Sequence, residues 1–273
     1  MSRVWDALRR SAEGLEELER IDSSSTSGNA PSLSFPSETV EVRPESRITA
    51  YTDPRGPTAD RFRYLRLRLN QVWNAEKLKR ILITSPLPHD GKSTVAVNLA
   101  VTLADEGKRT VLLVEGDLHR ATISEELGLS GLPGIAECLE NDGTDPLSLI
   151  RRIDPLGFYF LPAGNPRNNP SELLQRDGPT RMMESLSLNF DWIIIDSPPI
   201  VPLTDALSWK DRADATLLVA RAGRTPASAT EEALNLIGKK HVLAIILNGV
   251  EGLDRDYKKY YKAYTKNTSR SKS

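Results

Sequence analysis

Residues Arg80–Thr94 read RILITSPLPHDGKST. The apolar run Ile81-Leu82-Ile83-Thr84 enters a proline-rich turn that ends in Gly91-Lys92-Ser93-Thr94. Val95, Leu99 and Leu103 follow at four-residue spacing, which predicts a helix. Strand, loop and helix in this order are the setting of a phosphate-binding P-loop. Backbone N–H groups at the helix start point toward a bound phosphate, and the helix dipole favours its charge. On this pattern His89, Asp90, Gly91, Lys92, Ser93 and Thr94 are the candidate nucleotide-binding residues. Lys92 is expected to reach the β- and γ-phosphates, and the Ser93 hydroxyl to ligate Mg²⁺. The match has two departures. Pro86 stands where the pattern has its first glycine, and His89 stands where a second is expected.

Working outward, further apolar runs alternate with helical patterns. Strands are predicted at Arg80–Thr84, Thr110–Glu115, Phe158–Leu161, Trp192–Asp196, Ala215–Ala220 and Val242–Asn248, and a helix over Thr58–Glu76. Most of the strands are continuously apolar, as in a parallel sheet covered on both faces. The expected fold is therefore α/β, a doubly wound, mostly parallel sheet of the P-loop NTPase type. Ligands bind such sheets at the carboxyl ends of the strands. Two of those ends carry acids. One strand leads into Glu115-Gly116-Asp117, and the other ends in Asp196-Ser197-Pro198-Pro199. A carboxylate beside a P-loop is placed to hold Mg²⁺ or its water shell, which makes Ser93, Asp117 and Asp196 the candidate metal set. A plain turn or helix-cap role is the competing reading for each acid.

Composition narrows the rest. The 273 residues carry 36 Lys and Arg against 37 Asp and Glu, so no global field favours nucleic acid. Cys138 is the only cysteine, which excludes a disulfide framework and suits a reducing compartment. No apolar run approaches the ~20 residues of a membrane helix, and the N-terminus has no signal-peptide core. Four segments are expected. Residues 1–20 form an amphipathic helix with Val4, Leu8, Leu15, Leu18 and Trp5 among charges, and residues 21–57 a mobile Ser/Gly/Pro-rich linker with an extended piece near Arg47–Thr52. The catalytic domain spans residues 58–253, and residues 254–273 form a basic tail. Four of the seven tyrosines, Tyr257, Tyr260, Tyr261 and Tyr264, stand in that tail.

The combination VLLVEGDLHR, WIIIDSPP and SPLPHDGKST resembles the acidic-strand, Walker B and Walker A motifs of the bacterial tyrosine kinases. That family has a P-loop kinase domain unrelated to eukaryotic protein kinases. LPAGNPRNNPSELL, LLVARAG and AIILNGV also resemble family segments, so the likeness spans about Ile48 to Tyr264. Glu115 replaces the family's first acid and Asp117 matches the second. The resemblance implies ATP and Mg²⁺ as cofactors and Lys92, Glu115 and Asp117 as catalytic residues, with Glu115 orienting or deprotonating the acceptor. It implies autophosphorylation in trans of Tyr257, Tyr260, Tyr261 and Tyr264. It also implies ring-like self-association through a Glu-x-x-Arg-x-x-Arg helix, here Asp60, Arg63 and Arg66. A separate membrane-protein activator of the polysaccharide co-polymerase type and a phosphotyrosine phosphatase are the implied partners. Recruitment to the inner face of the membrane and control of exopolysaccharide or capsule export follow from the same likeness. Two other readings remain. One is a partitioning or positioning switch ATPase, although the loop lacks that group's early second lysine. The other is a nucleotide-binding scaffold with weak or lost catalysis.

Overall fold

The computed structural model describes residues 35–250, apart from residues 77, 106, 108 and 142. Readings that fall on residues 1–34 and 251–273, the N-terminal helix and the tyrosine tail among them, lie outside the described residues.

Eight strands form one sheet. They are β1 (Ser37–Thr39), β2 (Arg80–Thr84), β3 (Val111–Glu115), β4 (Arg151–Asp154), β5 (Tyr159–Leu161), β6 (Trp192–Asp196), β7 (Ala215–Arg221) and β8 (Val242–Asn248). Their spatial order is β1-β4-β5-β3-β6-β2-β7-β8. All neighbours are parallel except β4 and β5. Alternation along the strands explains why the central runs are apolar throughout. Ile81, Ile83, Val111, Leu113 and Ile194 enter one core layer. Leu82, Leu112, Val114, Ile193 and Ile195 enter the other.

Helices cover both layers. On the first side lie α1 (Thr49–Thr52), α2 (Pro57–Glu76), α3 (Lys92–Ala104) and α4 (Thr122–Glu126). On the second lie α5 (Ile135–Glu140), α6 (Pro170–Gln175), α7 (Gly178–Asn189) and α8 (Asp205–Lys210), with α9 (Ala227–Ile237) beside β7. The doubly wound expectation therefore holds. Each wholly buried Ile or Leu contributes roughly 1.5–3 kcal/mol, so the uninterrupted central runs determine the sheet.

The described part of the expected linker is not loose. A compact unit begins at Phe35. The Phe35 ring packs on Tyr159 and Phe190, with ring centroids 5.1 and 5.7 Å away. Strand β1 adds to the sheet beside β4, Val40 and Ile48 are buried, and residues 49–52 are helical rather than extended. The composition is linker-like, yet three well-spaced apolar side chains each find a pocket.

Candidate active site

The sheet changes character at the carboxyl ends of its central strands. Thr84, Ser85, Glu115, Asp196 and Ser197 are each at most 1% exposed there. Buried polar groups persist only when partnered or used, so this change marks the site. The strand order places β3, β6 and β2 side by side, and Glu115 pairs in register with Asp196. Gly116 stitches the two ends together. Its N–H donates to the Asp196 carbonyl at 2.7 Å, and its own carbonyl accepts from the Trp209 indole at 2.9 Å. A Cβ on Gly116 would stand 2.8 Å from that indole and 2.9 Å from the Asp196 carbonyl oxygen, so any side chain here forces β3 away from α8 and β6.

Lys92 opens α3, directly after the P-loop. Its ammonium lies 3.1 Å from Asp117 and 3.8 Å from Asp196, and donates to the Ser93 hydroxyl at 3.2 Å. The Ser93 hydroxyl in turn donates to Asp196 Oδ2 at 2.7 Å. Burial works against the lysine charge, but Asp196 and Asp117 outweigh it and hold the pKa above the ordinary lysine value. Burial pushes Asp196 up to about 6, against the pull of Lys92 and Ser93. Its second oxygen, Oδ1, is buried and has no hydrogen-bond partner among the described residues. An unpartnered carboxylate oxygen beside a serine hydroxyl is the donor chemistry of a hard divalent cation, so the residues fit Mg²⁺.

The P-loop is held from behind. His89 adopts φ 66° and Gly91 φ 96°, both in the left-handed region that favours glycine. His89 thus occupies a glycine conformation, which accounts for its place in the pattern. The sequence expectation gave Asp90 to the nucleotide, but its carboxylate points inward. It accepts from Leu87 N–H at 3.1 Å and from the Thr225 hydroxyl at 2.7 Å. Asn248 donates to the Asp90 carbonyl at 3.0 Å, and Arg221 to the His89 carbonyl at 3.3 Å.

Glu115, which the family resemblance aims at the acceptor, points elsewhere in the structure. It is wholly buried. Its Oε1 accepts from the N–H groups of Ile123 and Ser124 at 2.7 and 3.0 Å. Its Oε2 accepts from Ala163 N–H at 3.2 Å and from the Ser124 hydroxyl. Burial raises its pKa despite those donors. The carboxylate anchors the start of α4 and the end of β5, and it does not line the cavity described next. Asp117 does.

That cavity has a volume of about 940 Å³ and is lined by Lys92, Ser93, Thr94, His89, Asp117 and a ring of cations, Arg47, Arg120, Arg221 and Arg224. Sequence reading missed Arg47, Arg120 and Arg224, which come from separate loops with no shared spacing. Arg47 is brought in by Asn98 on α3. Asn98 donates to the Arg47 and Thr94 carbonyls, both at 2.8 Å, and accepts from Ala50 N–H at 2.8 Å. Asn98→Ala is expected to lower unfolding stability by roughly 2–3 kcal/mol by stranding those groups. A urea titration checks it, and a change under 0.5 kcal/mol would refute the clamp. A second pair, His119 Nε2 and Asp205 Oδ2 at 2.7 Å, ties the β3 loop to α8 beside the cavity.

Asp60 and Arg63 on α2 pair with each other, Arg63 also donates to the Pro54 carbonyl at 2.6 Å, and Arg66 donates to the Thr102 carbonyl at 2.8 Å. These side chains thus make contacts within the chain. The same helix exposes Tyr64 and Leu67.

No family model matches the chain. Individual proteins do. It is 30% identical over 210 residues to the tyrosine-protein kinase YwqD of Bacillus subtilis, covering 76% of this chain and 87% of YwqD. It is 30% identical over 249 residues to the succinoglycan biosynthesis transport protein ExoP of Rhizobium meliloti, covering 85% of this chain. The match takes in 31% of ExoP, so the chain spans about a third of that longer relative. Among solved structures, the kinase domain of the Escherichia coli tyrosine kinase ETK superposes with a TM-score of 0.70 at 28% identity, covering 77% of this chain and 82% of that domain. The septum site-determining protein MinD of Pyrococcus horikoshii, complexed with Mg-ADP, gives a TM-score of 0.52 at 25% identity, over 62% of this chain and 69% of MinD.

Proposed function

The chain belongs to the bacterial tyrosine kinase family, and on that premise we propose that it is an ATP-dependent protein-tyrosine autokinase acting on Tyr257, Tyr260, Tyr261 and Tyr264. One observation carries the reading. Lys92, Ser93 and Asp117 line a cavity large enough for a nucleotide and an acceptor side chain, and Asp196 stands buried behind Ser93 and Lys92 at the end of β6.

The tyrosine Oη attacks the γ-phosphorus, an O–P bond forms, and the bond to the β–γ bridging oxygen breaks to release ADP. Asp117 is the one carboxylate among the described cavity-lining residues, and it accepts the phenolic proton. Lys92 lies beside it and offsets charge on the transferred group. Ser93 and Asp196 would hold Mg²⁺, which supplies charge neutralisation across the phosphates. Glu115 acts as a positioning residue, fixing the loop that carries Asp117. Transfer runs in trans between copies, with self-association through α2, where Tyr64 and Leu67 are exposed next to the Asp60, Arg63 and Arg66 row.

The wider role follows the relatives' names. ExoP is named for succinoglycan biosynthesis and transport, and we assign this chain to control of exopolysaccharide or capsule export. No described helix is long and apolar enough to cross a membrane. A separate membrane-protein activator, docking on residues 1–20 and drawing the chain to the inner face of the membrane, completes the proposal, with a phosphatase to reverse the modification. The test is incubation with Mg·ATP, alone and with a candidate activator segment, followed by intact mass and phosphosite mapping. Phosphate on the tail supports the autokinase. ATP consumed with an unmodified tail would favour a switch ATPase of the positioning kind. Nucleotide bound with no turnover, activator present, would favour the scaffold.

A further inference from the structure

The cations of the cavity outnumber its carboxylates. Arg47, Arg120 and the Arg221/Arg224 turn come from three segments, and Asp117, the lone carboxylate among the described lining residues, is already paired with Lys92 at 3.1 Å. Among the described residues none of the four arginines forms an ion pair. Arg221 donates to a backbone carbonyl, and Glu126 acts on Arg47 only at longer range. A nucleotide's phosphates seated over Lys92 engage part of this ring. The remainder is free to meet charge on the acceptor.

The four tail tyrosines differ in what they offer. Tyr257 has Asp254 three residues before it and Asp256 one before it, with Arg255 between them and Lys258 and Lys259 after, so the acids that mark it stand on its preceding side. Tyr260, Tyr261 and Tyr264 lie among Lys258, Lys259, Lys262 and Lys266, and no acid follows Asp256 in the chain. An arginine-lined mouth favours the first and repels the others at the distances of direct contact. Phosphorylation reverses this, because each phosphotyrosine carries about −1.5 to −2 charge. Phosphate on Tyr257 stands three residues before Tyr260, as Asp254 stands before Tyr257. Phosphate on Tyr260 stands one before Tyr261, as Asp256 does before Tyr257. Phosphate on Tyr261 stands three before Tyr264.

We propose that the arginine ring of this site selects acceptor tyrosines that follow an acidic group at the third or first preceding position, so that the tail is phosphorylated in order, Tyr257 first, then Tyr260 and Tyr261, then Tyr264. The inference rests on the autokinase reading above. Each step transfers one phosphoryl group from ATP to a phenolic oxygen, with ADP and the phenolic proton leaving, and no other reactant is required.

The test is time-resolved phosphosite mapping of the full chain with Mg·ATP. Wild type should show Tyr257 modified before the rest. Asp254→Asn with Asp256→Asn should slow Tyr257 by roughly tenfold, the effect of two exposed ion pairs, and leave ATP affinity unchanged. Tyr257→Phe should slow Tyr260 and Tyr261 by a similar factor, and Tyr257→Glu should restore them in part, whereas Tyr264→Phe should slow none of the others. Arg224→Ala should blunt the response to Asp254→Asn. Phosphate arriving in random order, or Tyr257 modified at the same rate without its two acids, overturns the order while leaving the kinase standing. Absence of tail phosphate in every variant and in wild type overturns both.

Discussion

Lys92→Met should reduce tail phosphorylation by about 10²–10³-fold, the scale of losing one group aimed at developing charge in a water-excluded site. The ammonium is held within contact distance of two carboxylates and a hydroxyl, and its side chain is 11% exposed. Burial alone would favour its neutral form. Asp196 and Asp117 reverse that, so the lysine is charged before substrate arrives and needs no reorganisation during transfer. Methionine has similar length but removes the charge, and it leaves Asp117 and Asp196 facing one another without a cation. Some loss of stability should accompany the loss of rate, because a buried carboxylate without its partner is costly. Asp196 already has a raised pKa, and it can relieve part of that cost by taking a proton. Activity and denaturation midpoint should therefore be measured on the same preparation. A folded Lys92→Met protein that phosphorylates its tail within tenfold of wild type would remove Lys92 from the mechanism.

The sequence and the structure agree most where an apolar run is contiguous. The runs at Arg80–Thr84, Trp192–Asp196 and Val242–Asn248 coincide with β2, β6 and β8 residue for residue. Strands β1 (SET) and β4 (RRID) carry no apolar run, and they exist because each finds a partner at the sheet edge. Pairing of that kind is a tertiary event with no local signature. In the site, the phosphate loop and Asp196 were legible because the signal is contiguous and ends a buried strand. The ring as a whole was not, since Arg47, Arg120 and the Arg221/Arg224 turn lie on three segments joined only by folding.

Glu115 shows that a strand-end position does not by itself decide what an acid touches. It shares with Asp196 both its position at a strand end and its side of the sheet, the side of Leu113 and Ile194. What differs is the element above. Strand β6 lies next to β2, so Asp196 sits under the start of α3 and meets Ser93. Strand β3 lies one place further out, and Glu115 meets the start of α4 instead. Strand order, which a local pattern does not contain, sets one acid beside the P-loop serine and the other against the start of α4.

Glu115→Ala and Asp117→Asn should consequently fail in opposite ways. Removing the Glu115 carboxylate strands the N–H groups of Ile123, Ser124 and Ala163 and the Ser124 hydroxyl in a site that excludes water. Each unsatisfied buried donor costs about 1–3 kcal/mol, and partial relaxation of the α4 loop leaves an expected loss of roughly 3–5 kcal/mol in unfolding free energy. Glu115→Gln keeps the shape but turns an N–H₂ group toward existing donors, so it too should destabilise, by about 2 kcal/mol. Asp117→Asn removes a charge that faces the cavity and leaves every strand contact in place. It costs Lys92 one of its two buried carboxylates but leaves it Asp196, so it should lower stability by about 1–2 kcal/mol, less than Glu115→Ala, and lower the phosphorylation rate by about 10²-fold, the scale of losing a general base. Urea titration and initial rates on the three proteins at a temperature where all are folded decide the matter. If Glu115→Gln unfolded like wild type and lost 10²-fold in rate, Glu115 would be the base and Asp117 its support. If the two losses separate as the contacts imply, the first acid of the motif builds the loop and the second does the proton transfer.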